Sequence, residues 1–131
     1  MNTKLNKILA EVSAGELIDK ITILEIKKVK IKDKDKLIEV EKELVSLSET
    51  MNKVIPDLDR VAKYKKELKD VNLKLWDIEN GKRLAEKKND FGKEFIELSR
   101  NVYKSNDLRA KIKLEINNIL GSNIKEVKSH E

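Results

Sequence analysis

From Ser13 to Ile26 the chain reads Ser13-Ala14-Gly15-Glu16-Leu17-Ile18-Asp19-Lys20-Ile21-Thr22-Ile23-Leu24-Glu25-Ile26, and this run argues for a helical bundle. Its first four residues have the capping-box form, in which a serine hydroxyl and a glutamate carboxylate each accept from an orphaned backbone N–H. Behind them Leu17, Ile21, Leu24 and Ile31 recur mostly at three- to four-residue spacing. Ile18, Ile23, Ile26 and Val29 occupy the rest of the circumference. A helix apolar on several sides is surrounded by others rather than laid on a surface. The spacing predicts a central helix over 14–31, and such a helix needs companions.

The companions follow in order. After the polar turn Lys32-Asp33-Lys34, the positions Leu37, Val40, Leu44, Leu47, Met51 and Val54 predict a helix over 35–54. Pro56 stops it, and Asp57 is placed to cap a third helix. The third seam runs Val61, Tyr64, Leu68, Val71, Leu75, Ile78 and weakens through Lys82 to Ala85, with a kink expected at Asn80-Gly81. Asn89-Asp90 is the next break, with Asp90 as the expected cap. The fourth seam is Phe91, Phe95, Leu98, Val102, Ser105, Arg109, Ile112, Ile116 and Ile119, closed by Gly121 as a left-handed C-cap. Flanks at about 7–12 and 123–128 read as extended and leave from the same end, where they could pair. The expected architecture is all-α: a single domain over 1–131, an antiparallel bundle of four helices, the last two forming a long coiled-coil-like hairpin.

Helix lengths carry a further expectation. At 1.5 Å per residue the first two helices span about 27–30 Å and the last two about 45–48 Å. The hairpin tip, with Leu84, Phe91, Phe95 and Leu98, is then left without cover. An uncovered apolar seam marks an interface, and the commonest solution is a two-fold homodimer; a different protein partner would serve the same patch.

Composition removes much chemistry. Of 131 residues 40% are charged and 39% hydrophobic, with one proline and four glycines, which excludes a disordered chain. Apolar stretches run only a few residues against the roughly 20 a membrane helix needs, and Glu11 interrupts Ile8-Leu9-Ala10 before a signal-peptide core can form. A cytoplasmic location without membrane attachment is the expectation. There is no cysteine, and the single histidine is His130, at the end of the chain, so thiolate and histidine-dependent nucleophilic mechanisms lack their residues. No catalytic residue, metal site or cofactor is expected. The net charge of +5 comes from 29 basic and 24 acidic residues, and only four of the basic ones are arginines. The basic run Lys27–Lys36 contains no aromatic residue for base stacking, so it reads as a solvated turn and nucleic acid is not an expected partner.

The candidate site is a set of polar residues on apolar seams. Ser105 and Arg109 take two successive core positions of the fourth helix, with Asn106, Lys113 and Asn117 beside them. Buried charge is costly unless paired. Counting helix heights puts Glu25 level with Arg109, Glu41, Asn72 and Asn106 slightly above, and Asp19 near Lys113. Asp19, Glu25, Glu41, Asn72, Asn106, Arg109 and Lys113 are thus expected to form a layer that fixes helix register or holds a small ligand. Glu16/Asp19 and Glu94/Glu97 have the spacing of Mg²⁺-binding acids in helical phosphohydrolases, but with 24 acids such pairs arise by chance.

The run Gly15-Glu16-Leu17-Ile18-Asp19-Lys20-Ile21-Thr22-Ile23-Leu24-Glu25-Ile26-Lys27 resembles the opening of an uncharacterised bacterial and phage domain family. Leu75-Trp76-Asp77-Ile78-Glu79, Phe95 to Tyr103, Ser105 to Ala110 and the ending from Gly121 to Ser129 are similar to it as well. The resemblance implies an accessory or docking module, since members occur attached to tetratricopeptide or glycosyltransferase regions. It implies no activity. The overall expectation is a non-enzymatic binding or assembly module, with a small-ligand binder or phosphohydrolase-like enzyme as the alternative.

Overall fold

The computed structural model describes residues 4–130. It is an all-α bundle of four helices: α1 (Ala14–Lys30), α2 (Lys34–Val54), α3 (Ala62–Lys87) and α4 (Lys93–Leu120). A short 3-10 turn, Leu58–Val61, leads into α3.

α1 is the hub, and its N-terminus is locked by the far end of the chain. The Gly15 N–H donates to Asn117 Oδ1 at 2.6 Å, the Ala14 N–H to Ser122 Oγ at 3.0 Å, and the Glu16 N–H to Ser13 Oγ at 3.1 Å. The Leu17 N–H makes the first intrahelical bond, to the Ser13 carbonyl, so three of the orphan donors of the helix start, those of Ala14, Gly15 and Glu16, are satisfied. Only half of the expected capping box forms, because the Glu16 carboxylate turns to Lys113 instead. Gly15 permits the crossing: a Cβ there would stand 2.4 Å from the Lys113 carbonyl oxygen.

Ile18, Ile21, Leu68 and Ile116 meet below this crossing with Met51, Ile55 and Val61 in the main core. Each such buried side chain contributes roughly 1.5–3 kcal/mol relative to exposure. α1 packs against all three other helices, as its all-round apolarity requires, and α3 packs along α4. α2 packs on α1 but does not approach α3 or α4. Its charged residues cover most of its surface, and only Val40 and Met51 are buried. The first pair therefore does not sit as a layer on the hairpin; α1 alone does, with α2 outside it.

Turn chemistry explains the ends. Asp33 caps α2 by accepting from Asp35 and Lys36. α3 continues through Asn80-Gly81 rather than breaking there. Gly81 serves close packing, since a Cβ would lie 3.2 Å from Leu98 Cδ1. α3 ends with Asn89 in the left-handed region at φ 53°, and the Asp90 N–H closes back to the Ala85 carbonyl as in a Schellman motif. Asp90 accepts only from Gly92 and leaves α4 without a side-chain cap, and Asp57 caps nothing. Gly121 is left-handed at φ 63°, as expected. The two flanks form no strand pair among the described residues; their link is Asn123 Nδ2 donating to Glu11 at 2.6 Å. Among the described residues no helix is long and apolar enough to cross a membrane.

Candidate functional site

Asp19, on the hub helix, is completely buried. Arg109 of α4 meets it in a two-pronged contact, Nε donating to Oδ1 at 2.9 Å and Nη2 to Oδ2 at 2.5 Å. Asn72 of α3 donates to Oδ1 of the same carboxylate at 3.0 Å and to Thr22 Oγ1 at 3.0 Å. Thr22 in turn donates to the Asp19 carbonyl at 2.7 Å. Three helices are thus tied at one level by an acid, a guanidinium, an amide and a hydroxyl. Both prongs of a charge-assisted pair and the second donor leave the carboxylate well satisfied.

The Arg109 side chain retains 27% exposure. Asp19 holds its pKa above the ordinary arginine value through the hydrogen bond, which outweighs burial. Its remaining Nη1 has only a 3.5 Å contact to Asn106 Oδ1, at the outer limit of a hydrogen bond. One turn further along α4, Lys113 Nζ lies 2.7 Å from Glu16 and 2.9 Å from Glu126. Burial pulls the Lys113 ammonium down, but the two carboxylates outweigh it and leave its pKa raised. Lys128 pairs with Asp107 at 2.9 Å, so two ion pairs lay the C-terminal tail along α4.

The structure brings Asp19, Asn72, Asn106 and Arg109 into one layer, with Lys113 beside it. Glu25 and Glu41 stand apart. Glu25 faces Lys69 and Lys65 at 3.7 and 3.8 Å, and its Oε1 is the one buried side-chain polar atom without a hydrogen-bond partner among the described residues. Glu41 is exposed and pairs with Lys28. Helix placement separates them: Glu25 points toward α3's lysines, and the backbone of α2, which carries Glu41, lies beside α1 and away from α3 and α4. Thr22 and Asn117 were not assigned these contacts from sequence. Thr22 carried a signal, being a lone hydroxyl one helical turn after Asp19 within an aliphatic run; Asn117 acts only through a distant capping contact.

Residues 8–131 match the family of unknown function DUF6165. The chain belongs to this family. The DUF6165 match runs from the N-terminal flank through all four helices, the Asp19–Arg109 layer and the tail that carries Glu126. No curated protein and no solved structure matches the chain. Glu16 and Glu97, drawn above into Mg²⁺-type pairs, are engaged with Lys113 and Arg100. Among the described residues no cluster of three or more acids or histidines could hold a metal ion.

Proposed function

We propose that the chain is a non-enzymatic assembly module that works in the cytoplasm and pairs with a second copy through the tip of the α3–α4 hairpin. The observation that supports this reading is the exposure of Leu84, Phe91 and Ile96, at 52%, 50% and 47%. They cluster where α3 and α4 outrun α1, beside an edge-to-face Phe91–Phe95 pair with centroids 5.3 Å apart. The buried layer, by contrast, satisfies its carboxylate internally. Phe95 and Leu98 are half-buried within the hairpin and would form the floor of the contact.

The three exposed side chains present on the order of 250–300 Å² per protomer, against roughly 800 Å² in a standard interface. The pairing is therefore expected to be reversible, with lysine stems around the tip adding the remaining cover. Sedimentation equilibrium across micromolar concentrations tests it. The expected result is a concentration-dependent rise to twice the monomer mass, abolished in a Leu84→Asp, Phe91→Asp variant of unchanged helix content. A mass that stays monomeric at about 100 µM, where such a contact would be populated, or a variant that still pairs, refutes it.

A further inference from the structure

A groove of about 400 Å³ opens on the solvent side of the buried layer, between α1, α3 and the Arg109 side chain of α4. One wall is aliphatic, from Ile23, Ile26 and Leu75. Trp76, the only tryptophan of the chain, lines the groove as well. The cations here are Arg83 and Arg109, with no lysine among the lining residues. That choice is unusual for this sequence, in which only four of 29 basic residues are arginine.

The four arginines differ in their commitments. Arg100 pairs with Glu97, Arg60 donates to the Ile119 carbonyl, and Arg109 is tied to Asp19 through Nε and Nη2. Arg83 has no carboxylate or carbonyl partner among the described residues, and Arg109 keeps its Nη1 edge nearly unused. Guanidinium groups bind phosphate through paired N–H donors, which an ammonium cannot do. A half-buried indole lining a groove together with aliphatic side chains suits a flat aromatic ring. Glu79 and Asn80 complete the rim. A carboxylate there disfavours a bare anion but accepts hydrogen bonds from sugar hydroxyls or a ring amino group.

We propose that this groove binds a nucleoside monophosphate. The base packs on Trp76 and the aliphatic side chains, Arg83 and Arg109 take the phosphate, and Glu79 and Asn80 engage the sugar. The volume falls within the ordinary range for small-ligand sites. Arg109 then links two tasks, since the guanidinium that pairs with Asp19 and registers the helices also lines the groove. The site stands independently of pairing through the tip, and a Phe91→Asp variant should retain it.

Trp76, as the only indole, makes the test direct. The full-length protein is titrated with AMP while its fluorescence is followed. A saturable change is expected, together with weaker binding of adenosine and of inorganic phosphate. Arg83→Gln, at an exposed position, should keep its helix content and lose about tenfold or more in AMP affinity, the usual effect of removing a hydrogen bond to a charged group. Trp76→Leu, followed by NMR instead, should lose a similar factor. No saturable change up to about 10 mM AMP, the weak limit of specific binding, overturns the proposal. So does unchanged affinity in Arg83→Gln, or inorganic phosphate binding as tightly as AMP.

Discussion

Changing Arg109 to leucine leaves the Asp19 carboxylate with 0% exposure, without its charge partner and with Asn72 as the only side-chain donor the structure gives it. Both contacts at 2.5 and 2.9 Å disappear together. Breaking a buried pair from one side costs about 3–5 kcal/mol, a large share of the roughly 5–15 kcal/mol that a domain has in total. The reverse change is expected to be milder. In Asp19→Asn the guanidinium, already 27% exposed, can turn to water, and the expected loss is about 1–3 kcal/mol. A double Asp19→Leu, Arg109→Leu variant removes both charges and should be more stable than Arg109→Leu alone. Urea unfolding followed by far-ultraviolet circular dichroism measures all three, with an unchanged slope as the check that the denatured state is comparable. Two results would refute the reasoning: a loss below about 1 kcal/mol for Arg109→Leu, or a larger loss for Asp19→Asn than for Arg109→Leu.

Two further predictions concern the ends of α1 and the tail. Gly15→Ala places a methyl 2.4 Å from the Lys113 carbonyl oxygen, a backbone atom that cannot swing aside, so a loss of about 1–3 kcal/mol or more is expected in the same urea assay; a neutral effect would show that the crossing is looser than described. Lys113, hydrogen-bonded to Glu126, holds that carboxyl below its ordinary 4.5. The attachment is therefore fully present above pH 4.5 and lost as pH falls through the lower folded value. The side-chain NMR shifts of Glu126 and Lys113 should report loss of the pair only in that acid window, and loss beginning above pH 4.5 would contradict the assignment.

Local patterning carried the helices because their signals are local. Apolar spacing marks every seam, Gly121 announces its cap by residue type, and Pro56 ends α2 through its own sterics, whereas Asp57 and Asp90 have the right type and cap no helix. The same spacing singled out Ser105 and Arg109, since polar groups on an apolar face stand out in any register. What it could not supply was rotation about each helix axis. Counted by height, Glu25 lies level with Arg109 and Asp19 near Lys113, yet it is Asp19 that faces Arg109, while Glu25 faces Lys65 and Lys69.

Whole-chain packing decided the remainder. α2 has a clean apolar stripe, but nothing local tells which neighbour it will cover, and its backbone settled beside α1, which is apolar on several sides, with Met51 reaching the shared core. Gly15 and Gly81 look alike as helix weakeners in sequence; one admits the Lys113 backbone and the other the Leu98 side chain. The Asn117–Gly15 contact joins residues 102 positions apart, and Arg109 reaches Asp19 across 90. Local propensities set where each helix begins and ends. Contacts over such separations exist only once the helices have packed, because their geometry comes from the burial of several faces at once.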